Sequence, residues 1–460
     1  TVPHRSVTDI IVIAANLLPL IGVLGGDWNV WTLLVLYWIE AFSTVVLGAV
    51  KSSFARRGSP DVVGQREPLH ELRHKRGGWE PSASLPPIYP RNVPFALSIL
   101  GIWGATILPV TALSWFAIEP SVTLSWGVAV SVGALLLAQT AELGVDYLGG
   151  GRYEEVSARE ILQRPTQLTM GVLLLGVLAL TASQLTGVVV LVGFVVVKTA
   201  LSLPRDSSGP IAQTIETLFD RVSDDRELSR PRPELPLPDA AVQSRVEVSP
   251  RSVLLGSTTT VLLTAVNRGV ALLLIGVVAA VVTRHLVLAG LGAGVLLGVV
   301  AVRIGSYYLR YGTVEYQRRG DTLVAYDTVL EAPQWTVPVH SRAQFEVENA
   351  IPDRLFGTGT LNISNVKGTP TNAVQLGPVA DLDSAIETLG LPVRHDGRPD
   401  RDLATVGAAL VLALAFAGVP LLLIGSDHVS GPEMAAVFVL LAPFLAFLIG
   451  VLFYAMLSRI

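Results

Sequence analysis

The feature that most constrains this chain is the repeated occurrence of apolar runs about as long as a lipid bilayer is thick. A helix needs about 20 mostly apolar residues to cross the hydrocarbon layer. The runs that approach or meet this length are Val7–Leu24, Val30–Val50, Val93–Ile118, Val122–Leu143, Leu168–Ser183, Leu185–Leu203, Gly269–Val282, Leu286–Val302, Leu403–Ile424 and Met434–Leu457. They predict a mainly α, polytopic membrane protein with about ten transmembrane helices.

The composition excludes several other classes of protein. Hydrophobic residues make up 51% of the chain and charged residues only 15%, whereas an average soluble domain has about 25% charged residues. The sequence has no cysteine, which excludes disulfide frameworks, thiolate metal sites and cysteine nucleophiles. The net charge of −4 does not indicate a basic nucleic-acid-binding domain. We therefore expect the lipid bilayer as a partner, and neither nucleic acid nor a cofactor.

The distribution of basic residues predicts the orientation of the helices. Lysine and arginine accumulate on the cytoplasmic side of membrane proteins. If the N-terminus lies inside, Arg284 is the only one of the 33 basic residues in an external connection. This partition predicts a multi-pass protein of the cell membrane with both termini in the cytoplasm.

By composition, the chain divides into two membrane units joined by a linker. Residues 1–203 form a predicted six-helix unit with a cytoplasmic loop at residues 51–92. Residues 204–251 are rich in proline and in charges of both signs, which is typical of a linker. Residues 252–303 and 396–460 are predicted to form two transmembrane hairpins, on either side of a segment with a different pattern.

That segment, residues 304–395, alternates with period two and predicts β structure. Strands are expected at Thr313–Gln317, Thr322–Tyr326, Trp335–Val339, Phe345–Glu348, Thr360–Ser364 and Ala373–Leu376. A helix is expected at Leu382–Leu389, with Asp381 as its N-cap and Gly390 as its stop. The pattern predicts a small cytoplasmic antiparallel sheet, curled into a barrel or sandwich and capped by one helix.

Four sequences in this region carry a family resemblance: Tyr307–Val314, Val337–Val339, Phe345–Asn349 and Leu355–Leu361. Over about Val246 to Leu391 the chain resembles the bacterial pleckstrin-homology-like domains of multi-pass envelope proteins. The resemblance implies that fold, and a binding or assembly role rather than a catalytic one. From Gly312 to Leu389 there are five basic and ten acidic residues, which argues against a broad surface for anionic lipid. We expect protein contacts or self-association through a sheet edge instead.

The first six predicted helices carry a second resemblance. Asn16–Leu20, Leu36–Glu40, Pro86–Asn92 and Lys198–Leu201 are similar to a family of uncharacterised membrane proteins common in salt-loving archaea. The similarity covers about Val7 to Leu203 and implies no activity. The use of 29 arginines and only 4 lysines agrees with a haloarchaeal source.

Glu40 is the clearest candidate for a functional residue within the membrane, since it lies near the middle of the second apolar run. An ionisable group at that depth costs at least about 2.5 to 3.5 kcal/mol and usually faces a bundle interior or a water-filled path. Asn16 lies at similar depth in the preceding run and can donate its amide hydrogens. We expect a protonated Glu40 carboxyl, which either joins helices as a structural hydrogen bond or lines a proton or ion path.

The cytoplasmic loop contains a metalloprotease pattern. His70-Glu71-Leu72-Arg73-His74 has two histidines one helical turn apart, which can hold zinc while the glutamate activates its water. Glu142 followed by Asp146 resembles the third-ligand segment of membrane-bound gluzincin proteases. The charged neighbours Arg73, Lys75 and Arg76 and the lack of apolar residues for a cleft favour a solvated positive loop, with no metal bound.

Together these patterns predict a non-enzymatic scaffold, assembly or sensing protein of the cell envelope that uses its β domain for contacts. The first alternative is a proton- or ion-coupled transporter that uses Glu40 and Asn16. The second is a membrane zinc metalloprotease that uses His70, Glu71 and His74.

Overall fold

The computed structural model describes residues 30–60, 67–108, 110–111, 115, 122, 125–181, 229–231, 235–265, 267–339, 343–348, 357–366, 372–393, 403–424, 445 and 448–452. By their contacts, residues 1–73 and 78–234 form one compact unit, and residues 74–77 and 235–460 form a second. Asn16 and the predicted spans Val7–Leu24 and Leu185–Leu203 lie outside the described residues, as does most of Met434–Leu457.

The described part of the first unit is helical. Its helices are α1 (Val30–Phe54), α2 (Val93–Ile102), α3 (Trp126–Ala141) and α4 (Ala158–Thr181). A π-helical turn, Trp103–Ile107, extends α2, and a second one, Glu142–Gly149, extends α3. Helix α4 begins ten residues before the predicted span at Leu168, because its first three turns are too polar to count as membrane-spanning sequence.

The core of this unit is a stripe on α1 that faces α2 and α4. Leu33, Tyr37, Ala41 and Val45 recur every four residues and are at most 1% exposed, as expected for one face of an α-helix. They pack with residues that include Phe95, Ile99, Trp103, Ala158 and Leu162. The indole Nε1 of Trp103 also donates to Thr169 Oγ1 at 2.9 Å. Helix packing together with this hydrogen bond therefore joins α1, α2 and α4.

The segment before α2 completes the C-terminal end of α1. The last carbonyl groups of a helix have no partner within it. Asn92 Nδ2 donates to Ala55 O at 2.7 Å, and Tyr89 N donates to Ser53 O at 2.8 Å. The Pro86–Asn92 sequence is thus explained as a cap for the preceding helix.

The second unit begins with strand β1 (Val242–Glu247) and helices α5 (Pro250–Ala265), α6 (Arg268–Val282) and α7 (Leu286–Tyr311). Its remaining elements are β2 (Val314–Arg319), β3 (Thr322–Asp327), β4 (Ala332–Pro338), β5 (Gln344–Glu348), β6 (Gly359–Ser364), β7 (Ala373–Val379), α8 (Leu382–Leu389) and α9 (Leu403–Ile424). The predicted strands and helix α8 are confirmed, including the Asp381 cap and the left-handed Gly390.

The strands form two antiparallel sheets, with orders β1-β2-β3-β4 and β5-β6-β7. Both sheets contribute to one core, in which Tyr316, Leu323, Leu361 and Ile363 are at most 1% exposed. Leu389 of α8 belongs to the same core. The region is therefore a C-terminal antiparallel β domain capped by a helix.

Two predicted boundaries are wrong. The predicted linker, residues 204–251, includes β1. This strand pairs with β2, with Val242 opposite Arg319 at one end and Glu247 opposite Glu315 at the other. The predicted hairpin ended at residue 303, whereas α7 continues to Tyr311. Polar sequence obscured both elements, because an edge strand needs only partial burial and a helix can leave the bilayer without ending.

Helices α5 and α7 extend directly into the core of the β domain. Val253 of α5 and Tyr311 of α7 are buried in the same cluster as Tyr316. A Cβ added to Gly256 would lie only 2.9 Å from Tyr307 Oη, so the two helices are in close contact there. The hairpin and the β domain therefore share one hydrophobic core.

Three helices among the described residues are long and apolar enough to cross a membrane: Trp31–Phe54, Trp126–Gly149 and Leu286–Tyr311. Gly269–Val281 and Val406–Phe416 are shorter apolar helices. These lengths indicate that the protein is associated with a membrane.

Candidate functional site

The His70–His74 segment forms a five-residue 3₁₀ helix rather than the α-helix of the metalloprotease motif. With three residues per turn, the first and fifth side chains point about 120° apart instead of lying on one face. Glu142 pairs with Lys51, at 2.9 Å from Oε1 to Nζ. Within the described ranges, no group of three or more His, Asp or Glu residues is placed to hold a metal ion. The geometry gives no support to the zinc hypothesis.

The interpretation of this loop as solvated is wrong for its central residues. Arg73 is 7% exposed and Leu72 is 1% exposed. Arg73 Nη1 lies 3.2 Å from Glu67 Oε2, and Nη2 donates to the carbonyl oxygens of Ser59 and Pro60 at 3.1 Å. Its guanidinium also stacks over the Phe95 ring at 4.6 Å. Arg73 is thus a structural residue of the first unit.

Lys75, two residues later, is buried in the second unit. Its side chain is 5% exposed, and its Nζ lies 2.6 Å from Asp327 Oδ2. It also donates to the carbonyl oxygen of Arg310 at 3.2 Å. Arg310 lies in the last turn of α7, where an ammonium group is favoured by the helix dipole. Lys75 therefore binds both a carboxylate and a helix C-terminus.

Asp327 lies at the end of β3 and is fully buried. Its Oδ1 accepts hydrogen bonds from the backbone of Val329 and Leu330 at 3.0 and 2.9 Å. Its Oδ2 accepts one from Thr313 Oγ1 at 2.7 Å in addition to that from Lys75. These bonds fix the carboxylate in the position that Lys75 meets.

The next residue, Arg76, is held through its main chain. Arg76 N donates to Gln334 Oε1 at 2.9 Å, and Gln334 Nε2 donates to Arg76 O at 3.0 Å. One side-chain amide on β4 thus contacts both polar groups of a single residue of the loop. This is a contact that does not depend on the side chain at position 76.

Gly77, the last residue of the segment, lies very close to Leu330 and Ala332. Its φ is +84°, a left-handed conformation that favours glycine. A Cβ at this position would overlap the carbonyl oxygen of Leu330 and would lie 2.9 Å from Ala332 Cβ. We call the site made by Thr313, Asp327, Gln334 and the main chain of Arg310 and Leu330 the lysine pocket.

The electrostatics of the lysine pocket reflect its burial. Loss of water lowers the pKa of Lys75 below its ordinary value of 10.5, and the attraction of Asp327 opposes this shift. Desolvation therefore outweighs the attraction of the carboxylate, as is common for buried ion pairs. A buried ion pair of this kind is by itself weak evidence for net stability.

Glu40 lies half-buried in the middle of α1. Its carbonyl oxygen accepts hydrogen bonds from Ser43 Oγ and Thr44 Oγ1 at 2.9 and 2.7 Å. Thr44 Oγ1 in turn accepts from Gln139 Nε2 on α3 at 2.9 Å. The predicted contact between Glu40 and Asn16 lies outside the described residues, so it stays a prediction.

Comparison with known proteins concerns the first unit. Residues 3–231, just under half of the chain, match the profile of a family of unknown function (DUF6498). The N-terminal half is similar to an uncharacterised family. The matched range includes Lys75 but ends before Asp327. No curated protein and no solved structure matches the chain.

The lysine pocket is the feature that sequence patterns did not predict. The sequence pattern predicts Lys75 and Arg76 as charges of a solvated loop, and Asp327 is one of ten acidic residues in the β region. A glycine two residues after a lysine is the available signal of close packing in this loop. It does not identify the carboxylate that the lysine meets.

Proposed function

We propose that this protein is a multi-pass protein of the cell membrane, with cytoplasmic termini, that acts as a non-enzymatic scaffold at the cell envelope. Its β domain serves as the contact surface and has a pleckstrin-homology-like fold. Two antiparallel sheets of four and three strands, followed by helix α8, support this assignment of the fold. The shared core with α5 and α7 supports a domain held close to the membrane.

The observation that carries the proposal is the docking of His74–Gly77 in the second unit. The β domain there binds a chain segment that comes from a distant part of the sequence. It does so with a buried carboxylate, an amide and a close glycine contact. A domain that holds a peptide segment in this way is suited to assembly rather than to catalysis.

The proposal is tested by site-specific photo-crosslinking in native membranes. A crosslinking amino acid replaces Val329, which is 48% exposed in the β domain, or Leu137, which is 73% exposed on α3, as the matched control. We expect discrete protein adducts from position 329 and only lipid adducts from position 137. The absence of protein adducts at position 329, and likewise at Leu309 (36% exposed), would overturn the contact role.

The non-enzymatic assignment has its own test. The metal content of the purified full-length protein is measured by mass spectrometry and compared with that of a His70→Ala, His74→Ala double variant. We expect no stoichiometric zinc in either protein. Stoichiometric zinc that is lost in the double variant would overturn the scaffold proposal in favour of a metalloprotease.

A second candidate function is proton- or ion-coupled transport through the first unit. The hydrogen bond between Thr44 and Gln139 and the ion pair between Lys51 and Glu142 continue a line of polar groups from Glu40 toward the inner ends of α1 and α3. Under this function, Glu40→Gln abolishes coupled flux into proteoliposomes. Under the scaffold function, wild type and Glu40→Gln show the same flux as empty vesicles.

A further inference from the structure

We infer that the lysine pocket is a peptide-recognition site for the sequence Lys-x-Gly, filled in this structure by Lys75-Arg76-Gly77 of the same chain. The inference rests on the proposed contact role of the β domain and names the ligand of that contact. Each of the three positions is recognised by a different physical device.

The first position selects lysine. Asp327 Oδ2 and the carbonyl oxygen of Arg310 converge on one point, at 2.6 and 3.2 Å from Nζ. Lysine has a compact charge on a flexible stem, whereas the guanidinium of arginine is planar, wider and presents five donors in a fixed fork. With only 5% of the lysine side chain exposed, the pocket has no space for that fork.

At the second position, Gln334 binds the main chain. Its amide accepts from Arg76 N and donates to Arg76 O, at 2.9 and 3.0 Å. This pair of bonds fixes the direction of the peptide without regard to the side chain. These bonds hold the peptide at the second position by its main chain.

The third position requires glycine. The φ of +84° favours glycine, and a Cβ would overlap Leu330 O. The obstacle is backbone of the β3–β4 connection, which is held in place by the bond from Leu330 N to Asp327 Oδ1. The same residue that binds lysine thus maintains the wall that excludes larger side chains.

The segment is a ligand rather than part of the core. The hydrophobic core of the second unit is built from Val248, Val253 and residues beyond them, and it includes no residue of His74–Gly77. Emptying the lysine pocket therefore leaves the core of the β domain intact.

The first arm of the test measures docking in the full-length protein by limited trypsin digestion. Fragments are identified by mass, and the rate is followed at the Arg76–Gly77 bond. We expect at least ten-fold faster cleavage in Lys75→Arg, Lys75→Met, Asp327→Asn and Gly77→Ala than in wild type. Gly357→Ala is the matched control, because Gly357 also has positive φ but has no atom within 4 Å of an added Cβ.

The second arm measures recognition of a separate peptide. A fluorescent peptide of residues Leu72–Trp79 is titrated against the full-length Lys75→Met, Gly77→Ala variant, whose pocket is emptied. We expect the peptide of natural sequence to bind this variant at least ten-fold more tightly than peptides that carry Lys75→Arg or Gly77→Ala. Wild-type protein, whose pocket is filled, is expected to bind the peptide at least ten-fold more weakly than the variant.

Several results would overturn the inference. One is equal protection of all variants from trypsin. A second is the absence of peptide binding to a variant that keeps the thermal transition of the wild type. A third is equal affinity for peptides with and without the lysine and the glycine. If the double variant does not fold, Lys75→Met alone takes its place in the titration.

Wild-type protection that is lost on dilution would show that the segment comes from a second copy and would overturn its assignment to the same chain. Protein adducts from position 329 together with failed peptide binding would leave the contact role standing without this ligand.

Discussion

At the scale of single residues, Asp327 is the group on which the lysine pocket depends. It is fully buried and receives donors from Val329, Leu330, Thr313 and Lys75. In a buried site these donors replace the water that an exposed carboxylate would bind. Removal of the Asp327 charge therefore destabilises the buried Lys75 ammonium more than it disturbs the other hydrogen bonds of Asp327.

We expect Asp327→Asn to lower the free energy of unfolding of the full-length protein by about 3 to 5 kcal/mol. The substitution leaves the Lys75 ammonium buried without a counterion, which is the costly way to break an internal ion pair. Thermal unfolding in detergent measures the loss. Lys75→Met is the matched variant, and its loss should be smaller because Asp327 keeps the hydrogen bonds from Thr313, Val329 and Leu330.

The double variant Lys75→Met, Asp327→Asn completes a cycle for this pair. We expect it to be more stable than Asp327→Asn alone, since neither charge then remains buried. Additive losses in the two single variants would contradict a direct interaction between the two side chains.

The lowered pKa of Lys75 predicts a dependence of stability on pH. Burial, opposed by Asp327, places the pKa of the folded state below 10.5. Between these two values the unfolded chain binds more protons than the folded chain, so the contribution of this group to stability rises with pH. The difference in melting temperature between wild type and Lys75→Met should move in favour of wild type as the pH approaches 10.5. A shift in the opposite direction would show that docking takes up a proton.

At the scale of elements, the α6–α7 hairpin is held by close helix contact at a glycine. A Cβ on Gly292 would overlap Val277 Cγ2 of α6, whereas one on Gly294 would have no atom within 4 Å. Small residues allow such approach between membrane helices, where packing rather than water exclusion drives association. Gly292 and Gly294 are therefore a matched pair on one helix.

We expect Gly292→Val to lower the melting temperature of the detergent-purified protein, and Gly294→Val to leave it close to that of wild type. Both substitutions add the same side chain to α7, so only the contact with Val277 differs. Equal effects of the two variants would show that α6 does not pack on α7 at Gly292.

At the scale of the whole molecule, the second unit joins the α6–α7 hairpin, the β domain and four loop residues by direct contacts. Helix α7 is 26 residues long and ends within the core of the β domain. A change in the tilt or position of α7 would therefore act on Arg310, whose carbonyl oxygen binds Lys75. This arrangement gives the hairpin a physical route to the lysine pocket.

The proposed orientation can be measured with single cysteines, because the chain has none of its own. We expect Arg284→Cys, in the turn between α6 and α7, to react with an impermeant maleimide in intact cells. Val329→Cys should react only after the membrane is opened, since basic residues favour a cytoplasmic β domain. Labelling of Val329→Cys in intact cells would reverse the proposed orientation.

Much of the local structure was predictable from short-range patterns. Helix α9 has the bounds of the predicted apolar run, Leu403–Ile424. Helix α8 also has its predicted bounds, since Asp381 and Gly390 are strong helix-end signals. Strand β1 was missed, because its polar alternating residues resemble the linker sequence around them.

The sequence by itself determined the apolar helices, the alternating strands and their caps, since each depends on residues within a few positions of one another. Only the tertiary structure decided that His70–His74 is a 3₁₀ helix and that Arg73 and Lys75 are buried. The partner of Lys75 is Asp327, far away along the chain. Periodicity carries no information on such distant pairs, because they form only when the fold brings a charge and its counterion into the same water-free space.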